Sequence, residues 1–179
     1  MLYMFFAQGF EEVEAIATLD VIRRAGIEIK SVGIGGKSVT GSHGITVVCD
    51  SDDCDLNVDG IDGIILPGGM PGTNNLFENT KVHEAIEYCS HNGKLLCAIC
   101  AAPLILGRKG LLEGKEAVCF PGFEDELKGA VISDNFVCTD GNVITAKGMG
   151  SAVNFGLAIV AYYKGQAVAD ALKATLQCS

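Results

Sequence analysis

The run KLLCAICAAPLILG, residues 94–107, joins an apolar strand-like segment to one with helical spacing, and small residues mark the bend between them at Cys100. A cysteine at such a bend is the thiol counterpart of a nucleophile elbow: its side chain stands clear of the sheet, and the backbone N–H groups that follow are free to bind an anion. A helix start also favours a thiolate over a thiol. Ala98 and Ala102 stand where serine hydrolases prefer glycine, and the competing reading is an ordinary buried cysteine, since free Cys is among the residue types most often buried. Cys97 and Cys100 form a CxxC, but Cys97 lies inside the expected strand, whereas a redox pair or zinc site wants both sulfurs near a turn. Cys49 and Cys54, the other close pair, have four intervening residues and no following histidine pair at ligand spacing. No metal site is expected.

The elements that must position Cys100 follow from the alternation of short β-rich runs with helical stretches, the pattern of a parallel sheet covered on both faces. Expected strands are Leu2–Phe6, Ile29–Ile34, ITVVC at the end of a turn-rich excursion over 37–50, Gly63–Leu66, Lys94–Ile99, AVCF, FVCT and NVITA. A Gly-Asn turn at 141 and 142 suggests a hairpin between the last two. Expected helices cover 11–24, 80–91, the segment after the elbow to about Gly107–Gly110, 151–163 and 166–177. In the first of these Ala15, Ile16, Leu19 and Ile22 share one side, Asp20 and Arg24 form an i,i+4 pair, and Gly26 supplies the stop.

Ligands of an open parallel sheet gather outside the carboxyl ends of its strands. Four junctions there carry candidate chemistry. Glu11, Glu12 and Glu14 open the first helix; for Glu11 and Glu12 the plain reading is complementarity to the helix macrodipole. Glu14 heads a stripe of Ala17, Thr18 and Val21, so its carboxyl is a candidate to face the sheet edge, where desolvation would raise its pKa and let it donate a hydrogen bond to a thiolate. Gly68 and Gly69 read either as a tight turn or as an oxyanion site whose amides join that of Ala101. Gly148, Gly150 and Ser151 read as a turn before a helix or as pocket lining. Among the histidines, His43 in its Gly-Ser-His-Gly turn is the best pocket candidate, ahead of His83 and His91.

The chain has 179 residues, 49% hydrophobic and 20% charged, a length best explained by one domain spanning 1–179. With 22 acidic against 13 basic residues, the net charge of −9 opposes nucleic-acid and anionic-membrane binding. The apolar start MLYMFF lacks a basic flank and is too short for a signal sequence or a span. The eight cysteines are therefore expected as reduced thiols in a cytoplasmic protein.

FAQGFEEVEAIATLDVIRRAG near the start, LPGGMPGTNNL, the elbow AICAAP, KGMGSA near residue 150 and the closing helix pair together resemble the ThiJ/PfpI superfamily, and within it the branch of the parkinsonism-associated protein deglycase. The resemblance runs over nearly the whole chain and implies an α/β, flavodoxin-like sandwich, a mostly parallel sheet with helices on both faces, commonly a homodimer. It implies Cys100 as a reactive thiolate with Glu14 as its protonated partner, anion-binding amides at Gly69 and Ala101, and Arg24 at the dimer interface. His43 falls where related bacterial sequences carry an arginine near the pocket. Three departures narrow the chemistry. Ala101 stands where peptidase-like and chaperone-like relatives have a histidine, Phe120 stands where other relatives have a pocket histidine, and the H-x-E of glutamine amidotransferases is lacking. Cys100 is left to work chiefly with Glu14.

What the resemblance implies is a cofactor-independent thiol enzyme acting on reactive α-oxoaldehydes such as methylglyoxal, or on their early adducts. The alternative is a redox-sensing stress-response protein or chaperone using an oxidisable Cys100. A role in thiazole monophosphate synthesis for thiamine is a third reading attached to relatives, but no strong phosphate cradle supports it.

Overall fold

A computed structural model describes residues 1–178. In chain order the elements are β1 (Leu2–Phe6), α1 (Glu12–Arg24), β2 (Ile29–Gly33), β3 (Ser38–Thr40), β4 (Thr46–Val48), β5 (Ser51–Asp52) and β6 (Gly63–Leu66). They continue with α2 (Gly72–Glu78), α3 (Thr80–His91), β7 (Leu95–Ile99), α4 (Pro103–Arg108), β8 (Glu116–Ala117), β9 (Val131–Ile132), β10 (Val137–Asp140), β11 (Val143–Ala146), α5 (Ala152–Lys164) and α6 (Gln166–Thr175).

The main sheet has seven strands in the order β10-β11-β7-β6-β1-β2-β5. Every pairing in it is parallel except the β10–β11 hairpin. Without the short edge strands β5 and β10, the order 2-1-3-4-5 is that of a flavodoxin-like sheet. Side chains alternate across it as strand geometry requires. Leu2, Met4 and Phe6 of β1 join Ala15 and Ile22 of α1 and Phe155 and Ile159 of α5 on one face. Phe5 points the other way, into a cluster with Val82, Ala85 and Ile86 of α3 and Leu104, Ile105 and Leu106 of α4. The central strands β6 and β7 are buried along their whole length, which explains why GIIL and LLCAI lack the alternation of a half-exposed strand.

α1 and α5 pack closely on one face: the Thr18 hydroxyl donates to the Ala152 carbonyl at 3.2 Å, and a Cβ on Gly156 would approach Val21 to 2.9 Å. Both the stripe of Ala15 and Ile22 and that of Glu14, Thr18 and Val21 are buried, because one meets the sheet and the other meets α5. Ile16, placed with the inward set by its spacing, is 40% exposed.

The structure adds elements that periodicity missed. α2 (Gly72–Glu78) follows PGGMPG, in a stretch where no element was expected. The excursion over 37–50 forms a separate antiparallel hairpin of β3 and β4, and β5 is an extra edge strand on β2. Of AVCF only Ala117 lies in a strand, β8, which pairs with β9 outside the main sheet. Among the described residues, no helix is long and apolar enough to cross a membrane.

Candidate active site

The carboxyl ends of β1, β6, β7 and β11 lie side by side in the sheet, and the candidate site is built on the turns that leave them. β7 ends at Ile99, and Cys100 takes φ 65°, a left-handed conformation uncommon for a residue with a Cβ. Its amide donates to the Ala146 carbonyl of β11 at 2.9 Å, and its carbonyl accepts from the Phe120 amide at 2.8 Å. These two bonds hold the elbow between neighbouring chain segments and keep the strained backbone in place.

Glu14 reaches the elbow from the first turn of α1. Glu11 caps that helix, its carboxylate accepting from the Glu14 amide at 2.6 Å. The Glu14 side chain is 1% exposed and lies beside Cys100: a Cβ on Gly68 would sit 2.6 Å from both Glu14 Oε2 and the Cys100 Cβ. Its Oε2 accepts from the Gly68 amide at 3.0 Å. Burial pushes this carboxyl up to about 7, against the hydrogen bond with Cys100 and that from Gly68, with the charge of Glu11 adding to the rise. Cys100 is half-buried. Burial pushes its thiol up to about 12, and the charge and hydrogen bond of Glu14 raise it further, while the Ala101 and Gly69 amides pull the other way.

Two sequence expectations are corrected here. The thiol is not lowered by a helix start, because two residues of turn separate Cys100 from the six-residue α4 and burial beside a carboxylate outweighs that dipole. Gly68 does not join the anion-binding amides: its N–H is spent on Glu14, so the amides facing sulfur are those of Gly69 and Ala101. The two groups titrate as a pair, losing one proton at about 7 and the other at about 12. Between those values they hold one proton, and sulfur is ionised only in the arrangement that leaves it on Glu14.

Gly68 has a steric role as well. A Cβ there would lie 2.6 Å from both the Cys100 Cβ and Glu14 Oε2, and 2.9 Å from the Ile99 carbonyl. Gly68→Ala is expected to cost about 1–3 kcal/mol of stability and to slow alkylation of Cys100, read by urea denaturation and by labelling rate. Parent-like values for both would show that the carboxyl and thiol are not packed against this turn. Gly69, at φ 89°, would meet the Glu11 amide with any Cβ.

The turn after β11 completes the site. The Ser151 hydroxyl donates to the Gly148 carbonyl at 2.7 Å and accepts from the Gly148 amide at 3.2 Å. Gly148, Gly150 and Ser151 all line a cleft of about 230 Å³, together with Phe120, Pro121, Phe136, Lys147 and Met149. A Cβ on Gly148 would lie 3.3 Å from the Phe120 ring and 3.9 Å from Glu14 Oε1, so this glycine borders both cleft and carboxyl. Phe136, Lys147 and Met149 escaped sequence reasoning. The signal for Lys147 and Met149 was their place within KGMGSA; nothing local marked Phe136.

His43 is not part of this cleft. Its side chain is 72% exposed and bonds through Nδ1 to Glu12 at 2.9 Å. Glu12, expected as a helix-opening acid that complements the macrodipole, is 3% exposed and accepts from the His43 amide at 2.7 Å. Burial acts to raise its pKa, but hydrogen bonds from the His43 side chain and amide outweigh it and hold the carboxylate at about 2. Glu12 therefore ties the loop between β3 and β4 to α1 and holds His43 there. Glu11, Glu12 and His43 bring ligand atoms within 4.8 Å of one another, but both Glu12 oxygens already accept hydrogen bonds. Arg24 is 55% exposed and pairs with Asp20 at 2.5 Å, as its spacing implied. Cys97 is fully buried in β7, which removes it as a resolving thiol.

The DJ-1/PfpI family profile matches residues 1–162. The chain belongs to the DJ-1/PfpI family. It is 37% identical over 175 residues to the Parkinson disease protein 7 homolog of Danio rerio, covering 95% of this chain and 93% of that protein. It is 35% identical over 163 residues to protein dj-1beta of Drosophila melanogaster, covering 89% and 87%. Among solved structures, oxidized Toxoplasma gondii DJ-1 superposes with a TM-score of 0.95 at 29% identity, covering 99% of this chain and 98% of that one.

Proposed function

We propose that this DJ-1/PfpI protein is a cofactor-independent thiol enzyme that converts α-oxoaldehydes, or their early adducts with amines, to 2-hydroxy acids. The observation that carries this reading is the buried Glu14 carboxyl set beside Cys100, its Oε2 and the Cys100 Cβ each 2.6 Å from where a Cβ on Gly68 would lie, at a half-buried elbow.

With the shared proton on Glu14, the Cys100 thiolate adds to the aldehyde carbon and forms a hemithioacetal. The Gly69 and Ala101 amides stabilise the charge that moves onto oxygen. Glu14 gives its proton to that oxygen; as the carboxylate it removes the hydrogen from the former aldehyde carbon and delivers it to the adjacent one, while the hydroxyl proton passes to the former ketone oxygen as the thioester carbonyl forms. The resulting thioester is hydrolysed by water, which regenerates the thiol and releases the 2-hydroxy acid. Methylglyoxal and water together supply every atom of lactate, so no external oxidant or reductant is needed. The purified protein is expected to form lactate from methylglyoxal without added cofactor or thiol; no lactate at millimolar substrate would sink the proposal.

Oxidation of Cys100 to a sulfinate is the second reading. It is favoured by the same amides, which suit a sulfur-bound oxygen, and by a protonated carboxyl able to donate to it. Gain of two oxygens at Cys100 after mild peroxide, with no aldehyde turnover, would select it.

We also propose a homodimer through α1 and the β3–β4 hairpin. Val13 and Ile16 on α1, with Ile45 and Val48 beside or on the hairpin, are 46%, 40%, 55% and 79% exposed, an apolar row that favours coverage. A sedimentation mass of a single chain at micromolar concentration would contradict it. The eight free cysteines support a reducing compartment such as the cytoplasm.

A further inference from the structure

The cleft beside the elbow is more apolar than the reaction requires. Its walls are Phe120, Phe136 and Met149, which are 48%, 67% and 54% exposed. Large side chains left open to water at one place mark a surface that gains by being covered. The backbone that carries each ring is held in place. Phe120 is tied by its amide to the Cys100 carbonyl at 2.8 Å, and Phe136 accepts from the Lys147 amide at 2.9 Å. The Lys147 ammonium lies 5.6 Å from the Phe136 ring centroid, within range of a cation–π contact that steadies both.

Size points the same way. At about 30 Å³ per water, the cleft of about 230 Å³ exceeds what methylglyoxal fills, yet it falls short of the roughly 300 Å³ at which drug-sized ligand sites begin. The space suits a single ring or branched chain attached to the dicarbonyl unit. Gly148 borders both regions: a Cβ there would lie 3.3 Å from the Phe120 ring and 3.9 Å from Glu14 Oε1, so a substituent in the cleft would extend its carbonyl carbons toward the carboxyl.

We propose that this cleft selects 2-oxoaldehydes bearing an aryl or branched apolar substituent, with Phe120 and Phe136 as its specificity-determining walls. The proposal rests on the reaction described above and names its substrate class. For phenylglyoxal the sulfur–carbon bond forms at the aldehyde carbon, the hydrogen of that carbon passes to the ketone carbon through Glu14, and water cleaves the thioester to mandelate and free thiol.

The test compares kcat/KM for phenylglyoxal and methylglyoxal in the parent and in a Phe120→Ala, Phe136→Ala double variant. The parent is expected to prefer phenylglyoxal by about tenfold or more, and the ratio is expected to fall to about one in the variant. An equal kcat/KM in the parent, or an unchanged preference in the variant, overturns the proposal. A second measurement needs no turnover: alkylation of Cys100 by 2-chloroacetophenone against chloroacetamide, each normalised to its rate with glutathione. A normalised bias toward the aryl reagent of about tenfold that the variant loses supports the cleft even if neither aldehyde is converted, in which case only the enzymatic reading fails. No bias overturns it. Both rings are largely exposed, and circular dichroism confirms that the variant is folded.

Discussion

Cys100→Ala is expected to lower conversion of methylglyoxal by at least about 10³-fold while leaving the protein folded. The reaction as proposed begins with a sulfur–carbon bond, and no other thiol can replace it. Cys97 is fully buried, and Cys119, at the end of the segment after β8, is buried with its thiol pushed up to about 11. Alanine adds no atom to the elbow, and the φ of 65° remains supported by the bonds to Ala146 and Phe120. Stability close to the parent, with lactate formation lost, is the expected pair of results. A variant that turns over at the parent rate would mean that the elbow is a packing feature and the chemistry lies elsewhere.

Glu14→Gln is expected to reduce kcat by about 10²–10⁴-fold, the usual worth of a positioned acid and base. Glutamine keeps the shape, and its amide can still donate toward sulfur, but it cannot remove a hydrogen from carbon. Glu14→Leu should lose as much turnover and, in addition, the protonated carboxyl, the one form whose hydrogen bond favours thiolate, since the ionised carboxylate raises the thiol. The two variants therefore separate proton transfer from thiol activation: both lose turnover, and only leucine should also slow alkylation of Cys100 near neutral pH. Equal alkylation in parent, Gln and Leu proteins, measured by mass spectrometry, would show that the carboxyl has no hold on the sulfur.

Much of this site was legible because its parts are marked by local pattern. The elbow showed in an apolar run broken by small residues, and Glu14 showed as the head of a stripe with Thr18 and Val21 that the structure buries against α5. The sheet was legible because GIIL and LLCAI are too short and too apolar for anything but interior strands. What could not be read were consequences of tertiary contact. Backbone donors carry no side-chain signature, so nothing distinguished the Gly68 amide, taken by Glu14, from the Gly69 amide, aimed at sulfur. Glu12 sits one turn-edge from Glu14 and reads as a helix-opening acid; it is buried only because the loop between β3 and β4 folds over it. The same contact holds His43 there. Phe120, Phe136 and Met149 approach one another from three distant segments, and their shared exposure has no counterpart in any single window.

The central claim is that, although burial beside the carboxylate pushes the Cys100 thiol up to about 12, the one proton the pair holds above about 7 rests on Glu14 in a share of molecules large enough to leave reactive thiolate near neutral pH. The rate of iodoacetamide labelling at Cys100 as a function of pH tests it most directly, because only the thiolate reacts. The account predicts a first rise in labelling centred near about 7, where the pair loses its first proton, and the loss of that rise in Glu14→Leu, whose labelling moves to or above the ordinary thiol value of ~8.5. Labelling that stays slow through pH 9 and climbs only toward 12 would place the proton on sulfur and contradict it.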